Sequence, residues 1–72
     1  VLTIEKYVDL RLRFFEGKNI DLVGARMEKM VHDAGYVFRW LELDTKIAPE
    51  WRDGRVNVLV NKAHVITRIT VG

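Results

Sequence analysis

His32, His64 and ten Asp and Glu side chains are the groups of this chain that could move protons or hold a metal. The sequence contains no cysteine and no serine, which excludes thiolate and serine nucleophiles and any cysteine metal site. His32 falls late in a helical pattern and His64 in a turn, without the spacing that puts two imidazoles on one helix face, so no metal is expected. A cation near a helix C-terminus explains His32 better. Carboxylates lie close together at Asp9/Glu16, Glu42/Asp44 and Glu50/Asp53, but none sits beside a plausible base or electrophile. Acid–base catalysis therefore has no support, and neither enzyme activity nor a cofactor is expected. Met27 and Met30 read as core spacers. Arg11, Arg13, Phe14 and Phe15 mix cations with aromatics as nucleic-acid binders do. Two arginines are too few to carry affinity, and a net charge of +2 with interleaved signs makes no basic stripe, so no nucleic-acid partner is expected.

These groups must be positioned by a small frame. Seventy-two residues, 49% hydrophobic and 31% charged, describe one globular domain over 1–72. No apolar run approaches the roughly 18–20 residues that span a bilayer, so no membrane partner is expected. Val1 is not an initiator methionine and no signal-peptide pattern is present, which leaves the compartment open. The N-terminal segment, 1–16, carries two patterns. Val8, Leu10, Leu12 and Phe14 alternate with charged residues as in a strand, whereas Ile4, Tyr7, Val8, Leu12 and Phe15 fit a helical stripe. Helix or turn to about Val8 and extended chain after it is the expectation. An unpaired edge at Val8–Phe14 would then invite docking of another chain, so the protein should be a monomer or a weak dimer.

Beyond this segment the signals sharpen. Gly17-Lys18 is a turn, Asn19 caps a helix, and Asp21 sits in its first turn. Ile20, Val23, Met27, Met30, Val31 and Ala34 form its apolar face, and Gly35 terminates it. Gly24 inside this helix suggests close packing against a sheet. Tyr36 through Leu43, Arg55 through Val60 and Val65 through Val71 read as strands, with a turn over Asn61–His64. The order makes an α+β domain, one helix packed on a small sheet. The connection from Asp44 to Gly54 is long for such a domain and carries Ile47, Pro49 and Trp51 rather than a flexible Gly/Ser run. A long loop with a rigid centre is more often a binding device than a linker.

With these elements in place, Gly17-Lys18-Asn19-Ile20-Asp21, the stretch Glu50-Trp51-Arg52-Asp53-Gly54-Arg55-Val56-Asn57-Val58-Leu59-Val60 and the ending Val65–Gly72 together resemble the potato inhibitor I family of serine-protease inhibitors. Arg55-Val56-Asn57-Val58 is closer to the related I78 inhibitors. The resemblance covers Gly17 to Gly72. It implies a mixed sheet whose strands around Tyr36–Leu43 and Arg55–Val60 are parallel, with a reactive-site loop over 44–54. The partner would be a serine protease, held by a loop already in substrate geometry so that binding costs little ordering entropy. Carried over by position, Pro49 and Glu50 flank the scissile bond. Thr45, Lys46, Ile47 and Ala48 lie on the acyl side, and Trp51 and Arg52 on the leaving side. Arg55 matches a supporting arginine, Asn57 stands where the plant inhibitors have a second one, and Arg52 is expected to support the loop with them. Trp51 is expected to pack on the scaffold and hold the loop down.

Two residues depart from the family pattern. Ala48 replaces the usual threonine and loses its bridging hydroxyl. Pro49 has no N–H to offer a protease, although it holds Ala48 extended. Ala48 or Glu50 could therefore occupy the specificity position in place of Pro49. The alternative from another class is a non-inhibitory structural or interaction module that uses the same scaffold to bind a protein partner.

Overall fold

The computed structural model describes residues 3–43 and 51–72. One helix packs against a three-stranded mixed sheet, in the order β1-β2-β3. The chain starts helical: α1 (Ile4–Tyr7) runs into a π-helical segment, Val8–Leu12, and a 3-10 turn, Arg13–Phe15. α2 spans Ile20–Asp33, and the strands are β1 (Val37–Glu42), β2 (Arg55–Val60) and β3 (Ile66–Val71).

The extended chain expected after Val8 is not there. Val8, Leu12 and Phe15 are buried while Leu10 and Phe14 are 66% and 62% exposed, so the helical stripe prevails over the alternating one. The reason is tertiary. Tyr7 donates from its hydroxyl to the Met30 carbonyl, 3.0 Å away, and its ring meets Tyr36 at 5.4 Å between centroids. The helical segment thus lies beside the end of α2, and its buried residues join the core under that helix. The docking edge expected at Val8–Phe14 goes with the strand.

α2 forms as its sequence suggests. Asn19 accepts at its side chain from the Asp21 N–H at 2.8 Å, and Gly35 takes φ +85° to end the helix. Met27 and Val31 are fully buried and Ile20, Val23 and Met30 partly so, whereas Ala34, expected on this face, caps the helix and is exposed. On the sheet Val56, Val58 and Val60 face them. β2 pairs in parallel with β1 and antiparallel with β3. A register shift at Leu59/Val60 puts an extra residue into β3, and this bulge lets Ile66 and Ile69, three apart, both point into the core. Thr67 at the bulge donates from its hydroxyl to the Leu59 carbonyl at 3.1 Å.

The outer edge of β3 is covered by side chains. Arg13 donates to the Ile69 carbonyl at 2.9 Å, and Glu16 accepts from the Ile69 N–H at 3.1 Å. Arg13 also pairs with Asp9 and Glu16, at 2.7 and 3.1 Å. Nearer its start, β3 is met by the turn before α2: Gly17 N–H donates to Ile66 O and Ile66 N–H to Lys18 O. Both devices satisfy edge groups that would otherwise recruit another strand.

Candidate functional site

Thr45, Lys46, Ile47, Ala48, Pro49 and Glu50 lie outside the described residues, as does Asp44. What is described is the frame at both ends of their connection. Leu43 N–H donates to Val60 O where the chain leaves β1, and Val37 N–H donates to Gly54 O where it enters β2. In the parallel register Val37 lies opposite Arg55 and Glu42 opposite Val60. The connection therefore leaves and returns at opposite ends of the sheet.

The returning end is a polar cluster on the sheet face turned away from α2. The alternation of β2 that sends Val56, Val58 and Val60 into the core sends Arg55 and Asn57 the other way, yet both are buried, at 7% and 6% exposure. Arg55 donates from Nε to the Gly72 carbonyl oxygen at 2.8 Å, and Asn57 donates from its amide nitrogen to the same oxygen at 2.9 Å. The Asn57 amide oxygen accepts in turn from Arg39 Nε at 3.0 Å. The opposite carbonyl of the frame is used as well, because Gly72 N–H donates to Arg55 O at 2.9 Å. Among the described residues no buried side-chain polar atom lacks a partner, so the cluster is satisfied.

Trp51 closes this end. Its indole Nε1 and Cδ1 occupy the position a Cβ on residue 72 would take, and Gly72 holds φ +111°. Only glycine meets both conditions, the contact and the backbone conformation. Trp51 is nonetheless 65% exposed, so it meets the scaffold with only part of its indole. Arg52 is exposed.

Of the site residues named from sequence, Arg55, Asn57 and Trp51 meet at Gly72, and Arg52 points to solvent. Arg39 and Gly72 complete the cluster and were not singled out. The signal for Arg39 is the register, which sets it opposite Asn57; for Gly72 it is a glycine paired with a tryptophan far away in sequence.

A second arrangement surrounds α2. His64, at φ +63°, shares a hydrogen bond of 2.8 Å between its Nδ1 and the Asp21 carboxylate. That hydrogen bond is the main reason the imidazole pKa is raised above its ordinary 6.5, with the Asp21 charge adding to it and Glu42 contributing further. Gly24 does not pack on the sheet as its position suggested. A Cβ there would meet only the Ile20 side chain, at 3.2 Å, and the glycine instead borders a groove of about 270 Å³ together with Ile20, Asp21, Ala25, Glu28, Phe38, Trp40 and His64.

Among the described residues no three His, Asp or Glu side chains converge into a metal-binding group, and no helix is long and apolar enough to cross a membrane. No protein-family model matches this chain, and no curated protein does.

Proposed function

We propose that this protein is a stoichiometric inhibitor of a serine protease, offering the connection around Pro49-Glu50 as a substrate-like segment and carrying no catalytic step or cofactor of its own. One observation supports the reading above the rest. At the returning end of the connection Arg55 and Asn57, the residues that the resemblance assigns to loop support, donate to one oxygen of Gly72, against which Trp51 lies. A chain that reaches such an anchor at Trp51, one residue after Glu50, ends on a braced base, and a braced segment loses less entropy on binding. The parallel register adds to this by holding the two ends apart at opposite ends of the sheet.

A second reading, an interaction module without a protease target, is favoured by the apolar surface at Trp40, Leu43 and Trp51, which are 53%, 51% and 65% exposed. The test is titration against subtilisin-like, elastase-like, prolyl-preferring and glutamate-preferring serine proteases. Arg55→Lys and the double variant Ala48→Thr/Pro49→Met are run in parallel, and each protein's urea midpoint is recorded. The expected result is one-to-one inhibition of at least one enzyme, weakened about tenfold or more by Arg55→Lys at protein concentrations where the fold is intact, since lysine cannot reproduce the guanidinium donor geometry. Inhibition by the double variant alone would limit the proposal to the scaffold. Rapid cleavage of the parent and the double variant without inhibition would replace it with the interaction module.

A further inference from the structure

We propose that the groove between α2 and β1 receives a basic side chain from an extended peptide that adds to the sheet along β1. This site is separate from the connection around Pro49 and does not depend on the inhibitor reading.

The argument starts with the main chain. Val37 and Leu43 donate their N–H groups toward β2, to Gly54 and Val60. In a parallel pair alternate residues turn both main-chain groups to the neighbour, so Val37, Arg39, Leu41 and Leu43 serve β2 while Phe38, Trp40 and Glu42 turn theirs outward. Among the described residues β1 has a strand neighbour on one side only. The other edge of the sheet is covered, by Arg13 and Glu16 at Ile69 and by the Gly17–Lys18 turn at Ile66. β1 carries no comparable cover among the described residues, and no lysine or proline in its sequence blunts it.

The side chains point to the same conclusion. Phe38 and Trp40 line the groove from the sheet, and Gly24 and Ala25 line it from the helix. Because Gly24 has no side chain, the space over Trp40 stays open, and Trp40 is 53% exposed although it lies on the helix side of the sheet. Asp21 and Glu28 are the carboxylates of the lining. His64 pairs with Asp21 at 2.8 Å and offsets that carboxylate, so Glu28 is the charge of the lining that a ligand meets. At about 270 Å³ the groove is smaller than a typical small-molecule site and suits one long side chain. An aromatic face rimmed by carboxylates selects a lysine or arginine, whose apolar stem covers the rings while its charge meets Glu28 and the indole quadrupole. Strand addition supplies the rest: main-chain bonds hold the peptide, and every second side chain falls on the groove side.

A second copy of this chain fits less well. In an antiparallel pair residues facing each other share a face, so β1 against β1 would bring Phe38, Trp40 and Glu42 of the second copy to the helix side and drive Glu42 toward an already acidic rim.

The probe is a blocked pentapeptide of alternating threonine and arginine, with a threonine–glutamate peptide as control. Binding is followed by Trp40 emission in a Trp51→Phe background and by amide hydrogen exchange. The arginine peptide should shift Trp40 emission and slow exchange at Phe38, Trp40 and Glu42. Glu28→Lys and Gly24→Leu should each weaken it by about tenfold or more, through charge and through filling the groove. Glu28 is exposed, so its replacement leaves the fold intact even if the leucine variant is destabilised. Pro49→Met should leave binding unchanged. Equal binding of the glutamate peptide, binding without protection of β1, no binding of the arginine peptide, or a dimer formed along β1 would each overturn the proposal.

Discussion

At the residue scale, His64 ties the turn between β2 and β3 to the first turn of α2. Its ring meets Asp21, and its carbonyl accepts from the Ile20 N–H at 2.7 Å. The imidazolium is favoured in the folded protein by the Asp21 hydrogen bond, so the folded-state pKa lies above the ordinary 6.5. The sign follows from linkage. A group whose folded-state pKa is raised adds stability that is fully present below its unfolded value and is lost as pH rises through the folded value. Stability from this pair should thus be complete below 6.5 and decline above it. A titration of the His64 ring protons by NMR, with urea midpoints across the same range, checks this. Asp21→Asn should bring the midpoint of the ring titration down toward 6.5 and flatten the matching part of the stability profile. An unchanged titration would assign the shift to something other than Asp21.

At the element scale, the N-terminal segment is where two periodicities compete. Leu12 is fully buried and Leu10 is 66% exposed, two residues away in sequence. In a strand, residues two apart share a face, and the two leucines would be buried alike. Leu12→Ala should therefore cost about 2–5 kcal/mol, as deletions from a packed core do, while Leu10→Ala should stay within about 0.5 kcal/mol. Equal costs in urea denaturation would restore the extended conformation. The same element protects β3, because Arg13 and Glu16 stand in for a neighbouring strand at Ile69.

At the scale of the whole molecule, the core is shared between segments that the family resemblance separates. The likeness begins at Gly17, yet Val8, Leu12 and Phe15 are buried in the same cluster as Met27, Val31, Val56, Val58 and Val60. A small domain buries too little apolar surface to lose part of its core and remain stable. Deleting residues 1–16 should accordingly abolish the cooperative unfolding transition of the remainder, or lower its urea midpoint sharply, followed by circular dichroism. A fragment over 17–72 that unfolds as cooperatively as the whole chain would show the N-terminal segment to be an accessory.

Local chemistry determined much of this protein before any packing was known. The Asn19 cap, the apolar face of α2, the terminating Gly35 and the valines of β2 are each set by neighbours within a turn or a strand, so their residue types suffice to place them. The resemblance supplied the parallel pairing of β1 and β2, which has no local signature. Tertiary structure decided what depends on partners distant in sequence. Val8–Phe15 is helical because its stripe meets the end of α2 and the edge of β3, a contact that neither periodicity contains. Ile66 and Ile69 both face inward because a bulge against β2 shifts the alternation. The cluster of Arg39, Arg55, Asn57 and Gly72 exists only when the register of two strand pairs brings three segments together. Gly24 read as a packing glycine, but its missing side chain borders a groove between α2 and β1, and how two elements meet is not written in either one alone.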